Sequence, residues 1–287
     1  MTDRFLEESL NVDVRVAYRA GTLLEKGETA FQRYEVWDTP QFGKLFRLDG
    51  AFMTSERDEF FYHENLVHVS GSAHAGPRAA LIVGGGDGGS AKELFKYPTM
   101  ERVVLVEIDC KVVDIARAHL QAVHQGSLDD PRLELRIEDG LSYVAEHASR
   151  GDGRFDLIVL DLTDPVGPAA ALYAPPFLDQ CRRLLRAGGA LSVHLGSPVF
   201  QPERVRTLVH NLRTVFKRIR PYFFYVPLYG SLWGMATASD TLDPAALDVA
   251  AVDRTLAERG IDVLQYYNGA MHCAQFALPN YLRELLG

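Results

Sequence analysis

The sequence predicts an α/β fold: a doubly wound, Rossmann-like sheet carrying a small N-terminal β domain. Three observations predict it. From residue 79 onward, short apolar runs alternate with helical patterns, the order that lays helices on both faces of a parallel sheet. The run Leu81-Ile82-Val83 leads into Gly84, Gly86 and Gly89, which keep the G-x-G-x-x-G spacing of a nucleotide-binding strand–turn–helix unit, and Glu107 ends the next apolar run. Before residue 70 the chain instead alternates apolar and polar residues around tight turns, as hairpins do.

Taken in order, residues 31–37 and 43–48 alternate around Asp38-Thr39-Pro40, and Asp49-Gly50 turns the chain into Ala51-Phe52-Met53. A helical pattern starts at Glu59, with Phe60, Leu66 and Val67 among its apolar positions. The segment Ser70 to Pro77 is rich in small residues and marks the expected boundary, giving an N-terminal β-hairpin domain over 1–70 and a catalytic domain over 71–287. Beyond it, strands are expected at 79–83, 102–107, 132–137, 155–161 and 190–195, with helices near 89–97, 110–121, 140–148 and 172–186. Unbroken apolar runs such as Leu157-Ile158-Val159-Leu160 suit strands buried on both faces. Tyr222–Val226 and Trp233–Ala238 add an antiparallel closing pair, an ending common in methyltransferase-like sheets.

Composition narrows the function. A chain of 287 residues with 47% hydrophobic and 24% charged residues is an ordinary globular protein, long enough for one large domain and one small. Thirty basic against thirty-eight acidic side chains give a net charge of −8, which disfavours nucleic acid as a partner and suits cationic ligands. No apolar run reaches transmembrane length, and the start, with Asp3, Glu7 and Glu8, lacks the form of a signal peptide. Cys110, Cys181 and Cys273 are far apart and odd in number, as free thiols in a reducing compartment are, so a cytoplasmic location is expected.

The carboxylates carry the chemistry. Asp87 sits inside the glycine loop, where a pyrophosphate or carboxylate ligand would meet like charge and an ammonium group would be attracted. Glu107 and Asp109, Glu138 and Asp139, and Asp161 and Asp164 follow the next three strands. Any one acid at such a junction reads as a helix cap, and Asp109 is read as a cap only. Four junctions in succession point to one crevice at the carboxyl ends of the strands. Pro165, Gly167 and Pro168 keep the segment after Asp161 out of helix, and Asp161 ends a strand too apolar to carry an idle charge. Asp164 alone also reads as a residue ordering the turn.

The chain resembles the polyamine aminopropyltransferases, the spermidine synthase family, through motifs that run along nearly its whole length. They are Leu48-Asp49-Gly50, Thr54 to Glu59, Tyr62-His63-Glu64, the Gly84–Gly89 loop, Glu107-Ile108-Asp109, Asp129 to Arg132, Asp161 to Pro168, Tyr266-Tyr267-Asn268 and Phe276 to Pro279. The resemblance implies a methyltransferase-like domain joined to a small β domain. It implies transfer of the aminopropyl group of decarboxylated S-adenosylmethionine, a co-substrate, to an amine such as putrescine, with release of methylthioadenosine. Carried over residue by residue, Asp161 resembles the catalytic base and Asp164 an amine-binding group. Gln32, Glu107, Asp139, Gly140 and Pro168 would hold the nucleoside, and Tyr62, His63, Asp87 and Tyr229 would line the channel where the reactants meet. No metal or further cofactor is implied. The N-terminal hairpins are too small to bury their own apolar surface, and a homodimer or homotetramer is expected.

Several features are set aside. His63 and His68 are five residues apart, diverge around a helix and cannot share an ion. His119, His124, His210 and His272 show no ligand spacing and read as surface or packed groups. Tyr222 to Tyr225 reads as a buried strand, and the basic residues from Arg204 to Arg220 as a solvated face. Departures from the family pattern gather at the acceptor end: His194 stands where Gln is frequent, Ala170-Ala171 where an acidic and a small residue are usual, Gly230-Ser231 in a shortened loop after Tyr229, and Val16-Ala17-Tyr18 where many members have a Trp. They leave cadaverine, agmatine and spermidine open as acceptors beside putrescine. A methyltransferase and an NAD-dependent oxidoreductase share the fold but not the charge of Asp87. A silent polyamine binder would need no aligned base such as Asp161.

Overall fold

The computed structural model describes residues 4–150 and 154–287. Two antiparallel sheets come first: β1 (Phe5–Ser9) pairs with β2 (Arg15–Arg19), and β3 (Thr22–Glu28), β4 (Arg33–Thr39), β5 (Gly43–Leu48) and β6 (Ala51–Ser55) form a meander in that order. The hairpins expected over 31–55 are present as β4 to β6, while β1, β2 and β3 were not foreseen. Their pattern hides them. Leu23-Leu24 breaks the alternation of β3, where its register against β4 shifts, and β2 is buried only partway on alternate residues.

Helix α1 (Glu59–Ala73) runs unbroken across residue 70, and irregular chain begins only at His74. Its Leu66, Val67 and Val69 share one apolar cluster with Ile82 and Leu105 of the large sheet, so the helix packs as part of that sheet. Then come β7 (Ala79–Gly84), α2 (Gly89–Phe95), β8 (Arg102–Glu107), α3 (Cys110–His119), α4 (Gln121–His124), β9 (Leu133–Ile137), α5 (Gly140–Ala148) and β10 (Phe155–Asp161). The helix expected near 172–186 is a 3-10 turn, Gly167–Tyr173, followed by α6 (Pro175–Leu184), which starts at a proline because the first helical N–H needs no partner. It passes directly into β11 (Leu185–Gly196), then α7 (Pro202–Val215) and the closing pair β12 (Arg218–Val226) and β13 (Ser231–Ser239).

The seven strands lie in the order β12-β13-β11-β10-β7-β8-β9. β11, β10, β7, β8 and β9 are parallel, and β13 and β12 close the edge antiparallel. Alternate residues of one strand feed opposite cores. Ala80, Ile82, Val103, Leu105, Leu157 and Val159 face one cluster, and Leu81, Val83, Val104, Val106, Ile158 and Leu160 face the other. That is the unbroken apolar pattern of a two-sided parallel sheet. The chain leaves β7 to one side for β8 and returns on the other as β10, so the loops at their carboxyl ends part and open a crevice. Among the described residues no helix is long and apolar enough to cross a membrane.

The C-terminal helices α8 (Val249–Glu258), α9 (Gly269–Gln275) and α10 (Asn280–Leu286) were not placed from sequence. One buried side chain secures the segment between α8 and α9. Glu64 of α1 accepts the backbone N–H of Gln265 at 2.7 Å and of Tyr266 and Tyr267 at 2.8 Å each. Glu64→Ala leaves the buried Tyr267 N–H and two part-buried N–H groups without their partner and should lower unfolding free energy by about 1–3 kcal/mol, read by urea denaturation. A change within about 0.5 kcal/mol, the ordinary surface value, would show that water replaces the carboxylate at no cost.

Candidate active site

The carboxyl ends of β7 to β10 open on a cavity of about 400 Å³. Gln32, Tyr62, His63, Asp87, Glu107, Asp139, Gly140, Asp161 and Tyr229 all line it, brought together from both N-terminal and central parts of the chain. Asp164 does not: its Oδ2 lies 2.5 Å from Arg204 Nη1 instead. Pro168 falls in the 3-10 turn between the lining residues Val166 and Ala169, and its side chain lies outside the described residues.

Strand register builds the core of the site. β10 runs beside β7 with Asp161 opposite Gly84, and the Gly85 N–H donates to the Asp161 carbonyl at 2.8 Å. A Cβ on Gly84 would lie 2.2 Å from that carbonyl oxygen, and the residue has a φ of 78°, so only glycine fits. Gly89, the last glycine of the spacing, opens α2, and a Cβ there would fall 2.2 Å from the His63 ring. In this loop the third glycine makes room for an imidazole. Asp87 caps the same turn, its Oδ1 accepting the Gly89 N–H at 2.9 Å.

His63 stands between carboxylates. Its Nδ1 is 2.7 Å from Glu59 Oε2, and its Nε2 is 3.5 Å from Asp87 Oδ2 and 3.9 Å from Asp161 Oδ2. Burial opposes protonation of the ring, yet Asp87 and Glu59 hold it well above its ordinary 6.5. Burial would raise Asp87, but His63, the Gly89 N–H and Lys92 keep it below the usual carboxylate range. Burial pushes the Asp161 carboxyl up to about 6, and Asp87 adds to the push. His63, the Ser90 hydroxyl, 2.7 Å from Asp161 Oδ2, and the Tyr62 phenol hold it back. The atoms of His63, Asp87 and Asp161 gather within 4.8 Å of one another, the spacing of a metal site. With Nδ1 on Glu59 and Nε2 toward both aspartates, the ring stands among three carboxylates in one charged cluster. His68 turns away to Glu93, 2.8 Å from its Nε2, in keeping with the divergence of the two histidines.

Glu107 and Asp139 form the opposite wall. Burial pushes Glu107 up to about 7 even though it accepts the Gly86 N–H at 3.2 Å and the Asp109 N–H at 2.9 Å. Asp139 caps α5 through the Leu141 and Ser142 N–H groups, so here one acid is both cap and cavity wall. Asp109 is more than the cap expected of it. Besides the Lys111 N–H it accepts the Thr29 hydroxyl at 2.8 Å and the Gln32 side-chain amide at 3.1 Å, fastening the turn between β3 and β4 over this wall.

At the other end Tyr62 and Tyr229 meet edge to face, ring centroids 6.0 Å apart, and the Tyr229 hydroxyl donates to the Met53 carbonyl at 2.8 Å. His194 is buried and stacks on Trp233. The Tyr173 hydroxyl donates to the Thr163 carbonyl and accepts from His194 Nε2 at 2.5 Å, which leaves His194 Nδ1 the unprotonated nitrogen. Burial favours this neutral form. Arg204, expected on a solvated face, turns inward to Asp164. Glu8 of β1 was not foreseen either: its Oε2 accepts the Phe52 N–H at 2.6 Å, and burial, with the charge of Asp164, pushes its carboxyl up to about 7. No spacing rule marks it, because its partner Phe52 lies in another sheet. Gly89→Ala should force the His63 ring away from Asp87, lowering ligand-induced thermal stabilisation and any turnover at least tenfold; unchanged behaviour would show that the ring has room to retreat.

The fold and the acid-lined crevice define a methyltransferase-like α/β protein that places carboxylates where dinucleotide folds take up phosphate. The chain belongs to the spermine/spermidine synthase family, whose domain matches residues 59–247. It is 47% identical over 286 residues to the polyamine aminopropyltransferase of Nitrosomonas europaea, covering 100% of this chain and 87% of the relative. It is 37% identical to that of Moorella thermoacetica, covering 96% and 93%. Among solved structures, a spermidine synthase in complex with the transition state analogue AdoDATO superposes with a TM-score of 0.92 at 32% identity, covering 100% of this chain and 96% of that one. The spermidine synthase of Thermotoga maritima gives 0.90 at 31% identity, covering 100% and 95%.

Proposed function

We propose that this chain is an aminopropyltransferase that moves the aminopropyl group of decarboxylated S-adenosylmethionine onto putrescine or a related amine and releases methylthioadenosine. The observation that carries the proposal is the placing of Asp87 and Asp161 together at His63 Nε2, in a cavity also lined by Glu107 and Asp139. Glu107 accepts from the ribose hydroxyls and Asp139 from the adenine amino group, with Gln32, Gly140 and Pro168 closing the nucleoside pocket. Asp87 pairs with the donor's ammonium and repels the carboxylate of ordinary S-adenosylmethionine.

The acceptor arrives protonated. Asp161 takes the proton, and the freed nitrogen lone pair attacks the carbon next to the sulfonium. The C–S bond breaks, its electrons pass to sulfur, and a neutral thioether departs without help from an acid or a metal ion. Tyr62 and Tyr229 hold the nitrogen in line. Asp164 draws the amine toward the site, with a pull weakened by Arg204, whose guanidinium already neutralises it. A carboxyl near 6 is ionised at neutral pH and still basic enough to serve. Protonation removes the base, so kcat/KM should fall as pH drops through about 6.

Asp161→Asn should cost about 10²–10⁴-fold in turnover while thermal stabilisation by methylthioadenosine persists; unchanged turnover would remove Asp161 from the role of base. Mass spectrometry of products from the donor and a panel of putrescine, cadaverine, agmatine and spermidine identifies the acceptor. Absence of any aminopropylated amine would overturn the proposal. We also propose a cytoplasmic homodimer or homotetramer joined through the N-terminal strands, where Phe5 and Leu24 are exposed. Light scattering at micromolar concentration should give a multiple of 31.9 kDa, and a monomer would refute it.

A further inference from the structure

A row of buried charges lies behind His63 that the transfer step does not use. Glu59 Oε1 is 2.5 Å from Lys92 Nζ, and Lys92 Nζ is 3.0 Å from Glu93 Oε1. Glu93 Oε2 is in turn 2.8 Å from His68 Nε2 and 2.7 Å from Lys96 Nζ. Glu59, Lys92, Glu93, His68 and His63 are all buried. Ions in such a place are costly to desolvate, and apolar residues of the same volume would hold α1 against α2 as well. Their order is what matters. Lys92 occupies one oxygen of Glu59, and the other oxygen faces His63 Nδ1 as an acceptor. The opposite nitrogen faces two further carboxylates, Asp87 and Asp161.

We propose that Glu59 is a positioning residue for the transfer reaction: anchored on Lys92, it accepts the His63 Nδ1–H and so holds the ring as a donor on both sides, its Nε2–H turned to Asp87 and Asp161. This rests on the aminopropyltransferase function proposed above. The ring is confined on its third side by Gly89, where no side chain intervenes. The charged and titratable groups around it are Glu59 and Tyr62 of its own helix, Asp58 before it, Asp87 of the glycine loop, Lys92 of α2 and Asp161 of β10. Carboxylates outnumber cations among them, so the ring's charge is what lets Asp87 and Asp161 stand ionised side by side. Without it, each would raise the other, and the base would be lost near neutral pH.

Nitrogen-15 NMR of the full chain tests the proposal, with the His63 signals assigned by their loss in His63→Asn. Both ring nitrogens should carry protons from pH 6 to 8. Glu59→Gln should lower the pH at which the ring loses its proton and move the acid limb of kcat/KM upward, each by about 1 unit, with activity recovering at high pH. Glu59→Asp, which keeps the charge, should return the limb toward its original place. A bare ring nitrogen at pH 7 in the unaltered protein would overturn the proposal. So would a Glu59→Gln enzyme that is slower at every pH with its limb unmoved, the mark of a purely structural residue. If Glu59→Gln does not fold, the NMR of the unaltered protein and the Glu59→Asp profile decide. The NMR needs no turnover, so a doubly protonated ring in a protein that transfers nothing would refute the proposed function alone.

Discussion

Gly84 and Asp161 face each other across neighbouring parallel strands, and the Gly85 N–H closes the gap with a bond to the Asp161 backbone. That contact sets the distance between the glycine loop and the end of β10, and with it the separation of Asp87, His63 and Asp161. A side chain at position 84 would strike the facing carbonyl, so the loop comes this close only as glycine. The sheet order then keeps the crevice open on both sides of β7. Backbone registration thus does the positioning, and the acidic side chains that line the cavity are carried to one place by it.

Charge balance is the second layer. The cavity concentrates acids, and acids this close would titrate upward together. His63 stands against that, supported from behind by Glu59 and Lys92. Outside the cavity lining, Arg204 plays the corresponding part for Asp164, while Glu8 is left with a raised affinity for its proton. The acids inside and outside the cavity therefore differ: Asp87 and Asp161 line it and share the His63 ring, whereas Asp164 lies outside the lining and is paired with Arg204.

Much of this is legible in the sequence because it is local. The strands β7, β8 and β10 announce themselves as unbroken apolar runs, and the loop by glycine spacing with an acid inside it. The acids at the ends of β7, β8, β9 and the start of the β10 exit converge because topology, once known, sends those ends to one edge. What escapes is non-local or lacks a period. β1 to β3 pair through half-exposed faces, and Glu8, Arg204 and the amide–carboxylate tie of Gln32 to Asp109 depend on contacts across long stretches of chain. Asp109 looked like a cap because it is one. Nothing in its neighbourhood tells that Thr29 and Gln32 come to meet it. The boundary drawn at residue 70 followed composition, whereas α1 continues to Ala73 because Val69, Ser70 and Ser72 are buried against the large sheet.

The Glu64 clamp has a dynamic consequence. The helix that presents Tyr62 and His63 to the cavity is the one whose next residue grips the backbone of 265–267. Those three amides exchange with solvent deuterium when the carboxylate releases them, and the carboxylate sits on the helix that carries Tyr62 and His63. Protection measured at 265–267 therefore reports how firmly that helix is held.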